Sequence, residues 1–321
     1  MAKYRNALPQ LDGKFFLTDG GIETTLIFHD GLELPHFAAF DLLARAEGTA
    51  ALRKYFRAYG DIARRFNTGL VLESATWRAS ADWAARLGYS RAGLAAANLK
   101  SIDLLEEIRG EFETERTKIV ISGCVGPRGD GYIPANIMSA EAAEKYHGEQ
   151  IEIFADSAAD MVTAITVNYA EEALGIVRAA QHNAMPVVIS FTVETDGRLP
   201  TGQTLAAAVK QVDAATSSYP CYYMINCAHP THFDPVLSKI QPWMKRIRGL
   251  RANASRLSHA ELNESAELDV GDPVALAGQY ATLKKTRLTQ LNVMGGCCGT
   301  DHRHIEEIAK ACAPHQSGLV R

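Results

Sequence analysis

Residues 186–226 read PVVISFTVETDGRLPTGQTLAAAVKQVDAATSSYPCYYMIN. The opening run, Pro186–Val193, is almost continuously apolar and rich in β-branched residues. Thr204–Ser217 then carries apolar residues at three- and four-residue spacing, and Tyr222–Asn226 returns to a short β-rich run. A run without polar alternation suits a parallel strand covered on both faces. Two such runs joined by a helical segment make a βαβ unit.

The same alternation extends in both directions. β-rich runs recur at Phe15–Thr18, Leu70–Glu73, Lys118–Ser122, Met161–Thr166, Ile247–Ala252 and Leu291–Met294. Helical periodicity fills Gly48–Phe66, Arg91–Glu113, Ala140–Ala158, Ala170–Asn183, Phe233–Ser238, Asp272–Thr286 and His302–Ala311. Together with the first unit these give eight strand–helix alternations, which predict a (β/α)8 TIM barrel forming a single domain over residues 1–321. A doubly wound open sheet would carry a Gly-rich phosphate turn after its first strand. Here that position reads Asp19-Gly20-Gly21-Ile22-Glu23, which is not the GxGxxG fingerprint. No linker, internal repeat or low-complexity stretch divides the chain.

Composition narrows the class. The 321 residues are 47% hydrophobic and 22% charged, enough for a large core without disulfides or metals to hold it. A net charge of −4 gives no electrostatic reason to expect nucleic acid, which favours a clustered basic face. No apolar run approaches the ~20 residues a bilayer requires. Met1–Lys14 lacks the apolar region of a signal peptide. The expectation is a cytoplasmic protein with no nucleic-acid or membrane partner, its oligomeric state open.

Active sites of barrels lie on the loops that follow the strands. Asp19-Gly20, Glu73–Arg78, Cys124-Val125-Gly126-Pro127, Cys227, Asn253 and Ser255, and Gly295-Gly296-Cys297-Cys298-Gly299 all fall there. Cys227 follows the sixth strand and the Cys297–Cys298 pair the eighth, so the three meet across the mouth. Three thiolates there would hold a soft or borderline cation, Zn2+ first, at ~2.3 Å per sulfur. Gly295, Gly296 and Gly299 would let the backbone turn sharply enough to aim neighbouring side chains at one ion. Three protein ligands leave a fourth position open, the mark of a catalytic zinc. Three thiolates and Zn2+ sum to −1, which suits activation of a bound substrate thiol better than activation of water. The reaction implied is attack by a zinc-bound thiolate on an electrophilic carbon. Cys124, Cys221 and Cys312 lack this context and read as core residues. His229 and His232 read as solvent-facing loop imidazoles rather than a fourth ligand, and His302 and His304 as exposed.

Gly295-Gly296-Cys297-Cys298-Gly299-Thr300 and Ile225-Asn226-Cys227 resemble the C-terminal and middle cysteine motifs of the zinc-dependent homocysteine S-methyltransferase family. Leu17-Thr18-Asp19-Gly20-Gly21 resembles its N-terminal signature. Thr76-Trp77-Arg78-Ala79-Ser80 and Gly123-Cys124-Val125-Gly126-Pro127 are similar to its second and third loop motifs, and Ser190-Phe191-Thr192 with Asp196-Gly197 to its fifth-strand region. The resemblance runs from about Phe15 to His304. It implies Cys227, Cys297 and Cys298 as zinc ligands, and Asp19, Gly20 and Thr76 as holders of the acceptor's amino-acid end. After the fourth strand the family has a Glu for the substrate ammonium, where this chain has Ile165. Another carboxylate, Glu73 or Glu194, would take over, or the acceptor is a different thiol.

The function implied is a zinc-dependent thiol methyltransferase converting homocysteine to methionine. Its methyl donor would be a small sulfonium or ammonium compound, S-methylmethionine or S-adenosylmethionine, because 321 residues leave no length for a cobalamin or folate domain beside the barrel. The face of Trp77 or Tyr132 would attract such a cation. The alternatives are the same chemistry on another small thiol or selenol, and a non-catalytic barrel that binds zinc or thiols.

Overall fold

The computed structural model describes residues 1–264 and 267–314. Eight parallel strands close into a barrel in sequence order. They are β1 (Phe16–Leu17), β2 (Gly69–Glu73), β3 (Ile119–Val125), β4 (Met161–Val167), β5 (Val187–Thr192), β6 (Tyr222–Asn226), β7 (Ile247–Ala252) and β8 (Val293–Gly296). Closure rests on β1, which pairs with β2 on one side and β8 on the other.

The helices are α1 (Ala46–Phe66), α2 (Ala81–Arg86), α3 (Arg91–Phe112), α4 (Ala140–Ala155), α5 (Ala170–His182), α6 (Leu205–Thr216), α7 (Pro230–Phe233), α8 (His259–Glu264), α9 (Pro273–Thr286) and α10 (His302–Cys312). Several start at a side-chain cap. Ser90, Ser139, Thr204 and Asp272 each accept a backbone N–H of the first turn that has no partner inside the helix.

Both faces of the sheet are buried, which is why the strands read as apolar runs. Outward-facing Leu70, Leu72, Ile119, Ile121, Val187, Ile189 and Ile225 pack against Leu105, Ile108, Ile151, Ile176 and Val209 of the helices. Inside, Phe16, Val71, Val120, Met161, Val188, Tyr222, Met224 and Val293 form an apolar plug at the N-terminal end, sealed by Leu8. Residues i and i+2 of a strand share a face, so the next inward layer is Thr18, Glu73, Ser122, Thr163, Ser190, Asn226, Arg251 and Gly295. That layer is polar and bonded: Ser122 to Thr163 at 2.8 Å, Ser190 to Asn226 at 2.7 Å. The barrel interior thus changes from apolar to polar along its axis, toward the mouth where the cysteines lie.

Three expectations are corrected. The helix expected over Phe233–Ser238 is replaced by α7 and a 3-10 turn, Pro235–Leu237. Pro235 has no N–H and starts a new turn instead of continuing the first. β3 runs through Cys124 to Val125, so Cys124 is a strand residue and not a loop residue. Gly295 and Gly296 lie within β8; only Gly299 of the three glycines has a left-handed φ, at 77°. The other two are needed for space, because a Cβ on Gly295 would overlap Thr18 Oγ1 and one on Gly296 would overlap Thr300 Oγ1.

Candidate metal centre

Cys227 is placed by the end of β6. Its backbone is left-handed, φ 52°, and its N–H donates to Arg251 O at 3.1 Å. A left-handed non-glycine residue is strained and is held only where its surroundings enforce it. The Cys297 N–H donates to Ala252 O at 2.9 Å, and the Cys298 carbonyl accepts the Ala254 N–H at 3.0 Å. The backbone of β7 and of the segment just after it therefore fixes all three cysteines.

The three sulfurs lie within 4.8 Å of one another, and they are the only such His/Cys/Asp/Glu cluster among the described residues. Cys227 and Cys297 are joined as a disulfide, while Cys298 is a free thiol with Sγ 4.0 Å from that of Cys227. Two ligands ~2.3 Å from one tetrahedral zinc stand about 3.8 Å apart, close to the Cys227–Cys298 separation, and reduction of the Cys227–Cys297 pair would free both of its sulfurs to complete the trio. Polar donors surround it. Tyr132 Oη lies 3.4 Å from Cys227 Sγ and 3.7 Å from Cys298 Sγ, Thr166 Oγ1 3.8 Å from Cys227 Sγ, and Asn226 Nδ2 3.9 Å from Cys297 Sγ. Such groups offset the negative charge of several thiolates.

The cluster opens on a cavity of about 510 Å³. Six acids line it, Asp19, Glu23, Glu73, Asp130, Glu267 and Asp269, against three arginines, Arg78, Arg86 and Arg251, which favours cationic ligands. Asp19 lies just beyond β1 and pairs through Oδ1 with Arg251 Nη2 at 2.7 Å, while its Oδ2 accepts the Tyr55 hydroxyl at 2.8 Å. The Gly20 carbonyl accepts from Tyr55 and Arg251. Burial works against the Arg251 cation, but Asp19 and Glu73 outweigh it and hold the guanidinium protonated. Glu73 is buried with Oε2 unpartnered, and burial pushes its carboxyl up to about 7.

The other sequence candidates divide. Trp77 lines the cavity, but its indole N–H is spent on Ile165 O at 3.1 Å and Arg78 covers its ring at 3.9 Å. Tyr132 likewise stacks on His259 at 4.1 Å. Ile165 forms part of the wall. Thr76 is not on the wall: its hydroxyl donates to Cys124 O at 2.7 Å and contacts Ser74 Oγ at 2.6 Å. Glu194 also stands outside, 3.3 Å from His259 Nδ1, while His259 Nε2 bonds the Cys227 carbonyl.

The histidine and cysteine readings need correction. His229 and His232 are buried, not solvent-facing, bonded to Thr231 and Arg256 O. Burial pulls His229 down to about 4, keeping it neutral. His304 is buried too, between Asp301 and the Val270 carbonyl. Cys124 is buried but lines the cavity. Arg251, Arg78 and His259 were missed. Arg251 had a signal, as one of two arginines (with Arg248) in the seventh run; His259 had none, lying in a long polar stretch.

The model of the family described as homocysteine S-methyltransferase matches residues 16–312. Betaine–homocysteine S-methyltransferase 1 of Rattus norvegicus is 26% identical over 197 residues, covering 56% of this chain and 46% of that protein. The Pongo abelii protein of the same name is 26% identical over 244 residues, 67% and 57% of the two. Homocysteine S-methyltransferase 3 of Arabidopsis thaliana is 23% identical over 219 residues, 65% and 62%. The chain thus spans about half the length of the first of these relatives. Among solved structures, the oxidized form of the homocysteine methyltransferase MmuM from Escherichia coli superposes with a TM-score of 0.74 at 20% identity, covering 96% of this chain and 99% of that one. Its metallated form gives 0.71 at 18%, covering 94% and 98%. At that identity the likeness is one of fold.

Proposed function

The chain belongs to the homocysteine S-methyltransferase family, and on that premise we propose that it transfers a methyl group from a small cationic donor to homocysteine, giving methionine. The observation that carries the reading is that three cysteine sulfurs, within 4.8 Å of one another, share a cavity with Asp19 and Glu73. Held by reduced Cys227, Cys297 and Cys298, zinc would supply a substrate thiol already deprotonated yet still nucleophilic.

The chain's own residues bind and orient. Backbone at Gly20 and the Asp19–Arg251 pair form a rigid floor for the acceptor's amino-acid end. Glu73, whose buried Oε2 has no hydrogen bond, receives the ammonium group in place of the family's Glu, where Ile165 stands. An arriving ammonium returns Glu73 to its ionised form, since an opposite charge at close range favours it. Tyr132, Thr166 and Asn226 hold the sulfurs in place. In the transfer, the acceptor sulfur's lone pair forms the new S–C bond as the donor's C–S bond breaks. The electron pair of the broken bond stays on the sulfonium sulfur, which leaves as a neutral thioether. No general base is needed at that step, and alignment of the two sulfurs supplies much of the rate.

Purified, reduced, zinc-loaded protein given S-methylmethionine or S-adenosylmethionine with homocysteine tests this, with methionine measured by mass spectrometry. Methionine formation that disappears in Cys298→Ala is expected. Bound zinc without methionine would overturn homocysteine as acceptor. Ile165 is the specific observation favouring another small thiol or selenol in that case.

A further inference from the structure

Three arginines are buried among the described residues. Arg109 pairs with Asp160 at 2.9 Å and Arg251 with Asp19 at 2.7 Å. Arg78, 5% exposed, is different. Its guanidinium lies between two indoles, 3.9 Å from the Trp77 centroid and 3.8 Å from that of Trp83. Nη1 donates to Gly129 O at 2.8 Å, and Nε has no partner. Asp130 and Glu23 act on it only through space, too weakly to offset burial, which lowers its basicity to about 10. A buried cation without a bonded carboxylate is unfavourable, so a ligand is the natural source of its missing partner.

Geometry narrows that ligand. With the indoles against the guanidinium and Nη1 on Gly129, its Nε/Nη2 edge is left without a hydrogen bond among the described residues. That edge presents two parallel N–H donors, the fork that matches a planar carboxylate. Arg78 also sits higher than the acceptor floor. Asp19 and Glu73 are at or just beyond strand ends, whereas Arg78 contacts Trp83 of α2 and Gly129 of the β3–α4 loop, both above the barrel. We propose that Arg78 forms an anion subsite at the cavity mouth that receives the carboxylate of the methyl donor, so the preferred donor is a zwitterion carrying both an onium methyl group and a carboxylate. The word donor rests on the proposed function; the carboxylate subsite itself does not.

The test compares S-methylmethionine with trimethylsulfonium, which lacks the carboxylate, on reduced zinc-loaded protein, reading both methyl transfer and the fluorescence of Trp77 and Trp83. Arg78→Gln should raise the KM and the fluorescence Kd for S-methylmethionine by about tenfold or more, the scale of a charge-assisted hydrogen bond lost. It should leave trimethylsulfonium and the homocysteine KM unchanged. Arg78→Lys, which keeps the charge but not the fork, should recover part of the loss. Equal weakening of both sulfonium compounds, an unchanged S-methylmethionine Kd, or a rise confined to the homocysteine KM would overturn the proposal. If methyl transfer fails in every variant while S-methylmethionine still binds through Arg78, the proposed function falls and the subsite stands.

Discussion

Glu73 shows how one residue trades stability against function. Its carboxyl is pushed up by burial to about 7, above the usual 4.5. Between those two values the folded state binds a proton that the unfolded state has lost. Stability therefore falls as pH rises from about 4.5 through 7, and the native protein at pH 8 carries a buried charge with one unpartnered oxygen. Glu73→Gln removes that penalty. We expect it to raise Tm at pH 8 but not at pH 5, while the KM for homocysteine rises by about tenfold or more, as for a lost hydrogen bond to a charged group. A calorimetric scan at both pH values with a KM measurement checks the pair. An unchanged KM would return the ammonium site to another residue. In sequence Glu73 was visible only as the end of an apolar run, and nothing distinguished it from Glu194. Inward register separates them: Glu73 faces the cavity, while Glu194 is 35% exposed and bonded to His259.

At the scale of elements, strands and long helices were legible because burial on both sheet faces imposes continuous apolar runs, and because outer helices must keep one apolar stripe. The short elements were not. α2, α7 and α8 have only four to six residues each, too few for a helical period to repeat. The glycines of β8 were read as turn makers, since sequence shows that a side chain is missing but not whether φ or space demands it. That distinction gives a prediction. Gly296→Ala would place a Cβ against Thr300 Oγ1, a residue whose hydroxyl also holds the Cys297 carbonyl at 2.7 Å. It should weaken zinc retention and lower Tm. Asp272→Ala, which removes the α9 cap to Val274 and Ala275, should cost about 1 kcal/mol of stability with zinc retention unchanged. Denaturant titration and chelator competition separate the two; equal effects on zinc would contradict the close-packing account of β8.

For the whole molecule, the apolar plug and the outer sheet–helix layer are separate from the cysteine cluster. The fold should accordingly outlive the metal. Cys297→Ala should keep its far-UV circular dichroism yet retain no zinc. A variant that fails to fold would make the site structural. The paired Cys227 and Cys297 add a condition, because neither sulfur of a disulfide is a thiolate; oxidised protein should bind no zinc until a reductant is supplied.

Whether the three cysteines together activate the acceptor thiol is read by titrating zinc into reduced, metal-free protein and following methionine formation from S-methylmethionine and homocysteine. The predicted result is a rate that rises in proportion to bound zinc and levels off at one equivalent per chain, with no rise in Cys298→Ala. Methionine formation at full rate in the metal-free protein, or a full zinc equivalent bound with no methionine formed, would contradict it.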